Sequence, residues 1–204
     1  MNCKHSLRIG SLCCDCGQDI NDDTKLSYIL HNNSDIKLSE DEAYILNKQR
    51  LEILHTSKKL ILVLDLDQTI LHTTISKEYL PGYTNFIINN INYCVKFRPY
   101  LNYMLECIYK KYEIHVYTMG TKVYAKKIVS IIDPNKKYIG RRILSRDENG
   151  LEFKKDLNRL FSIHSNVVIL DDRDDIWDYS SNLVLVKPFF YWNVGDINGP
   201  NKDG

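Results

Sequence analysis

Residues 60–73 read LILVLDLDQTILHT. Five apolar residues in a row run into two aspartates, then a glutamine and a threonine. An unbroken apolar run of this length is the pattern of a strand buried on both faces, as in parallel sheets. Carboxylates are costly to desolvate without partners, so Asp65 and Asp67 at the end of such a strand need a reason. One aspartate could simply mark the strand's exit from the core. Asp-x-Asp-x-Thr directly after a buried strand points instead to a site built at the strand's carboxyl end.

Outward from this stretch, strands alternate with helices. YCVKF (93–97) is predicted as a second strand, and Pro99 can occupy the first turn of a helix whose Leu101, Met104, Leu105 and Ile108 share one face. YEIHVYT (112–118) alternates as a strand, and TMGT leads into a helix over 122–132, stopped at Asp133-Pro134. A strand at RRIL (141–144), a short helix near 154–161 and buried strands at NVVILDD (166–172) and LVLVK (183–187) follow. Residues 74–92 read as one long irregular segment. Upstream, Ser39 and Glu42 have capping-box spacing, and Ala43, Leu46, Leu51 and Leu54 recur at helical spacing. The expectation is an α/β fold, a mostly parallel sheet with helices on both faces. The organisation divides into a Cys/His-rich segment at 1–20, a connector and helix at 21–57, a catalytic domain at 58–198 and a tail at 199–204.

The 204 residues suffice for a substantial core, and 44% hydrophobic with 26% charged residues argues against a wholly disordered chain. A net charge of +1 gives no general attraction to nucleic acid or membrane. No apolar run approaches the roughly 20 residues of a membrane span, and MNCKHSLRIG has no signal-peptide character. Of the six cysteines, Cys3, Cys13, Cys14 and Cys16 crowd the start, while Cys94 and Cys107 stand alone. This is a poor disulfide framework. Cys3, His5, Cys13 and Cys16 have instead the spacing of a tetrahedral zinc site, with Cys14 an alternative to Cys13. A segment with so few apolar residues would gain order from such a structural Zn2+.

The predicted strands deliver polar groups at three carboxyl ends: Asp65 and Asp67, Thr118, and Asp171 and Asp172. Lys154 and Lys155 precede the last pair. Carboxylates, a hydroxyl and an ammonium converging there suit a phosphoryl group and a hard ion such as Mg2+.

In this order, LDLDQT, YTMGT, FKKDLNRLF and ILDDRDDIW resemble the four motifs of the haloacid-dehalogenase phosphotransferases. More narrowly, with RRILSRDENG, NLVLVKPFFYW and GDIN beside them, they are similar to the Fcp type, the TFIIF-associating phosphatases of the RNA polymerase II C-terminal domain. CKHSLRIGSLCCDCGQDI is similar to the segment preceding the catalytic domain of those enzymes. The resemblance implies a haloacid-dehalogenase-like parallel sheet, no large cap domain and a small Cys-rich appendage. It implies a Mg2+-dependent protein serine phosphatase in which Asp65 attacks phosphorus to give an aspartyl-phosphate, while Asp67 protonates the leaving oxygen and then activates water. Mg2+ would be held by Asp65, Asp172 and the Asp67 backbone carbonyl. Thr118 would bind a phosphoryl oxygen, Lys155 would neutralise phosphoryl charge and Asp171 would hold that lysine. Lys154 is chemically equal, and the register before DLNRLF favours Lys155. Arg98, Tyr124, Arg146 and Arg173 match positions that would contact the phosphate or peptide or buttress the site, with Tyr124 equally a core residue of its helix.

Departures from the family pattern are also visible. Tyr100 stands where a glycine is usual after Arg98-Pro99, so a rerouted backbone is expected there. The connection from the first motif to FRP is short. No BRCT module is expected after the last strand. The implied partners are the phosphorylated polymerase tail and TFIIF, with no direct nucleic acid and no membrane, and the implied residence is the nucleus. Two rival functions share these residues: a haloacid-dehalogenase phosphatase for small-molecule or nucleic-acid-end phosphates, and a non-catalytic transcription adaptor.

Overall fold

In chain order, β1 (Leu7–Ile9), β2 (Leu12–Cys13), β3 (Leu26–Ser27) and β4 (Ile36–Ser39) precede the long helix α1 (Glu40–Thr56). They form an antiparallel sheet of order β2-β1-β4-β3. Then come β5 (Leu60–Leu64), β6 (Leu71–Ile75), β7 (Thr84–Ile88), β8 (Ile91–Phe97), α2 (Leu101–Ile108), β9 (Tyr112–Tyr117), α3 (Lys122–Ile132), β10 (Ile143–Leu144) and the single turn α4 (Arg146–Asn149). A 3-10 turn at Leu157–Arg159, β11 (Val167–Asp171), a second at Asp175–Trp177 and β12 (Leu183–Leu185) complete the order. This computed structural model describes residues 3–20, 26–27, 35–149 and 153–192, so GDIN and the tail at 199–204 lie outside the described residues.

The organising element is a five-stranded parallel sheet of order β10-β9-β5-β11-β12, with β5 at its centre. Its strands alternate between two cores. Leu64, Ile114, Val116 and Ile143 face α2, α3 and the antiparallel strands, packing with Leu105, Ala125, Ile128 and Phe86. Ile61, Val63, Tyr117, Leu144 and Ile169 face the other way, onto Leu54 of α1, Leu157, Phe161 and Trp177. Both faces of β5 are therefore covered, which is why LILVL carries no polar residue. Each fully buried Leu, Ile or Val contributes about 1.5–3 kcal/mol.

Helix α1 belongs to that second core. Ser39 caps it by accepting from the Glu42 amide. Its inward stripe is Ala43, Asn47, Arg50 and Leu54, whereas Leu46 is exposed. Asn47 replaces the expected Leu46 because its amide donates to the Ala43 carbonyl and to Ser162, which satisfies a buried polar group. Arg50 reaches Glu113 and lies 3.0 Å from His115 Nε2 on β9. His115 is fully buried, and burial lowers its pKa to about 4. It is a core histidine, as its alternating position suggests.

Four readings of the chain change. YCVKF is not in the parallel sheet: β8 is the centre of a separate antiparallel sheet of order β6-β8-β7. Residues 74–92 are accordingly not one irregular loop but contain the end of β6, all of β7 and the start of β8. The helix expected near 154–161 is only the 3-10 turn Leu157–Arg159, since Leu157, Leu160 and Phe161 need one turn to reach the core and Asp156 caps it through the Asn158 amide. The strand at 183–187 is shorter and not buried, because β12 is an edge whose Val184 and Leu185 are exposed.

Tyr100 departs from its expectation too. The backbone keeps the glycine-type path, with Tyr100 held at φ 65°, ψ 15° as the residue before α2. A Cβ there costs about 1–2 kcal/mol, and the side chain is 84% exposed, so little packing offsets it. Tyr100→Gly is expected to raise the melting temperature by about 2–4 °C, the shift of ~1 kcal/mol in a chain of this size after the extra entropy of unfolded glycine. A melting temperature that falls in thermal denaturation would show that the exposed ring carries stabilising contacts.

Candidate active site

The carboxyl ends of β5, β9 and β11 meet beside the turn from β9 into α3. Asp65 follows β5, and its amide donates to the Leu170 carbonyl of β11. Thr118 follows β9, and its Oγ1 accepts from the Gly120 amide at 3.0 Å. Gly120 has no room for a side chain: a Cβ there would lie 2.7 Å from the Tyr124 ring. Thr121 then caps α3 by accepting from the Tyr124 amide. Asp171 ends β11 and Asp172 follows it. Asp65, Asp67, Thr118, Lys155, Asp171, Asp172 and Arg173 line one cleft of about 310 Å3, with Gln68, Met119 and the exposed Phe153 at its sides.

Lys155 is the centre of this arrangement. Its ammonium, 1% exposed, donates to Asp65 Oδ1 at 2.6 Å and to Asp171 Oδ2 at 2.7 Å. Lys154 instead points outward to Asp178, so geometry separates two lysines that chemistry left equal. Burial alone would lower the Lys155 pKa, but the two carboxylates more than offset it and hold that pKa above the usual lysine value. Two groups without an assigned role in the motifs support the lysine. Trp177 donates its ring N–H to Asp171 at 2.8 Å. Trp177 and Tyr117 also place their rings 5.5 and 5.7 Å from the ammonium, within cation–π range. The signal was present in ILDDRDDIW, where Trp177 stands one 3-10 turn beyond the aspartates.

The remaining carboxylates are held separately. Asp67 accepts from the Tyr124 hydroxyl at 2.6 Å, and that hydroxyl is 2.6 Å from Thr73 Oγ1. Asp172 accepts from Thr69 at 2.9 Å. Thr69 itself is fixed from behind, since Arg98 donates to its carbonyl at 2.9 Å. Burial pushes the carboxyls of Asp65 and Asp172 up, Asp65 the more strongly and against the pull of Lys155.

The residues expected to touch peptide are distributed differently. Arg173 lines the cleft, its guanidinium paired with Asp175. Arg146 is exposed at the start of α4, its amide bonded to the Gly120 carbonyl. Tyr124 is buried and faces Asp67, and Arg98 sits against Thr69 and the Phe189 ring. Neither lines the cleft.

The donor set fits a hard divalent cation. Asp65, Asp171 and Asp172 bring carboxylate oxygens within 4.8 Å of one another. Asp171 is the poorest ligand, because Lys155 and Trp177 occupy one oxygen and the Arg173 amide the other. Asp65 commits one oxygen to Lys155, and Asp172 one to Thr69. Burial raises both carboxyls, and neighbouring carboxylates add to it; a bound cation would offset that cost. A second group, Cys3, His5, Cys13 and Cys16, gathers at the N-terminal hairpin.

The family model of the NLI interacting factor-like phosphatases matches residues 60–198, the span that carries all of the cleft. An Encephalitozoon cuniculi protein, named as a phosphatase of the RNA polymerase II C-terminal domain, is 52% identical over 199 residues, covering 97% of this chain and 48% of the relative. The Schizosaccharomyces pombe protein of the same name is 37% identical, covering 96% of this chain and 31% of the relative. The chain thus spans about half the length of one of these relatives and under a third of the other. A solved structure described as Fcp1, an essential RNA polymerase II CTD phosphatase, superposes with a TM-score of 0.69 at 39% identity, over 76% of this chain and 49% of that one. Its likeness covers the parallel α/β architecture, and no cap domain stands over the cleft among the described residues. The chain belongs to the NLI interacting factor-like phosphatase family.

Proposed function

We propose that this chain is a Mg2+-dependent protein serine phosphatase acting on the C-terminal heptad repeats of RNA polymerase II through an aspartyl-phosphate. The observation that carries the reading is the buried Lys155, shared by Asp65 and Asp171 beside Asp172 at the floor of an open cleft. Such an ammonium is preorganised for charge on an incoming phosphoryl group. The names of the relatives supply the substrate class.

In this mechanism Asp65 is the nucleophile and attacks phosphorus with the oxygen not committed to Lys155. Asp67, two residues on, gives its proton to the departing serine oxygen and then takes one from the water that hydrolyses the intermediate. The Tyr124 hydroxyl fixes the rotamer of Asp67, which makes Tyr124 a positioning residue. Thr118 binds a phosphoryl oxygen. Lys155 neutralises phosphoryl charge, and Asp171 with Trp177 holds it in place. Asp65, Asp172 and the Asp67 carbonyl would hold Mg2+. Bound there, the ion supplies Lewis-acid charge neutralisation between nucleophile and phosphate. Arg98 acts through Thr69, while Arg146 and Arg173 lie where a peptide would pass. Contact with TFIIF and nuclear residence accompany this reading.

The test is phosphate release from singly phosphorylated heptad peptides, set beside an aryl phosphate and a phosphate-ended oligonucleotide. Turnover of a phosphoserine peptide that requires added Mg2+ is expected. Turnover confined to the oligonucleotide or the aryl phosphate would overturn the substrate and keep the chemistry.

A further inference from the structure

The phosphatase reading leaves the N-terminal cysteines without a role. Cys3 Sγ lies 3.7 Å from Cys13 Sγ, and Cys16 Sγ lies 3.5 Å from His5 Nδ1. All four ligand atoms fall within 4.8 Å of one another. The sulfur pair is far beyond the ~2.05 Å of a disulfide, and every cysteine is free. A tetrahedron with Zn–S of about 2.3 Å and Zn–N of about 2.05 Å has edges of about 3.8 Å between sulfurs and about 3.6 Å between sulfur and nitrogen. The observed separations match those edges.

The backbone is arranged for the same purpose. Cys13 ends β2, and the turn Cys13–Gly17 closes with the Gly17 amide on the Cys13 carbonyl. Gly17 at φ 72° supplies the left-handed residue that this turn needs. The His5 amide donates to Cys3 Sγ at 3.4 Å. Cys14, the alternative ligand, has an exposed side chain outside the group, and its amide is spent on the Leu7 carbonyl. The sheet around the group cannot hold itself by burial, since Ile9 is 56% and Leu12 51% exposed.

We propose that Cys3, His5, Cys13 and Cys16 bind one structural Zn2+ and that this ion fixes the start of helix α1. Binding converts three thiols to thiolates, with their protons released to solvent, and leaves His5 neutral. The link to α1 runs through pairing: β1 lies against β4 with Leu7 opposite Leu38 and Ile9 opposite Ile36, and the amide of the cap residue Ser39 donates to the Ser6 carbonyl. The metal therefore holds the hairpin, the hairpin holds β4, and β4 delivers Ser39 to the helix that packs on the catalytic sheet.

The experiment is zinc stoichiometry of the purified full chain by atomic emission, with Cys3→Ser, Cys16→Ser and Cys14→Ser beside it. One equivalent is expected in the wild type and in Cys14→Ser, and loss is expected in the other two. Folded wild type without zinc, or an undiminished equivalent in Cys16→Ser, overturns the site. Since the variants can fail to fold, the wild type is also stripped with a zinc-selective chelator in the presence of Mg2+ and digested briefly with protease. New cleavage confined to the region before and at the start of α1, reversed by added zinc, supports the link. An unchanged digestion pattern overturns it. Substitution by Co2+ should give the absorption of a tetrahedral thiolate–imidazole site, and an octahedral spectrum would exclude the geometry.

Discussion

Asp65→Asn is expected to lower phosphate release by at least ~10^4-fold while raising the melting temperature. The first effect follows from chemistry, because a carboxamide cannot form the acyl phosphate and loss of a nucleophile removes nearly all of the acceleration that depends on it. The second follows from the charge balance of the cleft. Asp65 and Asp171 share one buried ammonium with Asp172 beside them, and burial already pushes Asp65 up. Asparagine keeps the shape and can still accept from Lys155 through Oδ1, and it removes one desolvated charge. A gain of ~1 kcal/mol corresponds to about 2–4 °C at this size. Both halves are checked on one preparation, by phosphate release and by thermal melting without added divalent cation. Residual turnover near the wild-type rate would remove Asp65 from the mechanism, and a melting temperature several degrees lower would mean that its charge holds the fold together.

Lys155→Ala is expected to cost about 10^3-fold in phosphate release, the scale of losing one preorganised charge partner, and also about 3–5 kcal/mol of stability. The second loss arises because Asp65 and Asp171 would remain buried with their cation gone. It should depend on pH with a definite sign. A carboxyl whose folded pKa is raised binds its proton more tightly folded than unfolded, so stability increases as pH falls through the folded pKa and levels off below the unfolded one. Asp65 is raised already, and losing Lys155 raises it further. The variant's deficit is therefore largest above the folded pKa of Asp65 and shrinks as the pH falls through it towards the unfolded one. Lys155 itself, with its pKa above the ordinary lysine value, stays charged across that window and adds no slope to the wild type. Denaturant titrations at several pH values measure this directly. A deficit that is constant with pH would show that the lost lysine stem, rather than the buried carboxylates left without their cation, sets the cost.

Much of the arrangement was legible because local and global demands agree. LILVL must be buried on both faces, Ser39 and Thr121 cap helices with their hydroxyls, and the aspartates sit where parallel strands end. The antiparallel insert was not legible, because its turn is Asn89-Asn90 rather than a glycine pair. Both residues are left-handed, at φ 49° and 65°, which asparagine tolerates at some cost, so a tight hairpin was hidden in a polar run. Asn47 was missed because burial of an amide depends on the Ser162 hydroxyl, 115 residues away in sequence. Tyr124 could be read equally as a groove, buttressing or core residue, since its helix position leaves its direction open, and the partner Asp67 shows that it turns inward. Lys155 over Lys154 was legible in the register before DLNRLF, and the geometry agrees. Lys155 pairs with the aspartates while Lys154 turns out to Asp178, though the short segment that carries them was expected to be helical.

The strand order has a consequence for how the chain comes to be folded. β5 finds β9 over a modest stretch of sequence, with Leu60 opposite Tyr112, but its other neighbour arrives late, with Ile61 opposite Val167. Contacts between distant residues form only after the entropy of closing the intervening loop has been met. During synthesis, the strand that carries Asp65 and the antiparallel insert emerge well before the strand that brings Asp171 and Asp172. For that interval the apolar edge of β5 is open to other chains, and the cleft is completed only with the closing of that edge.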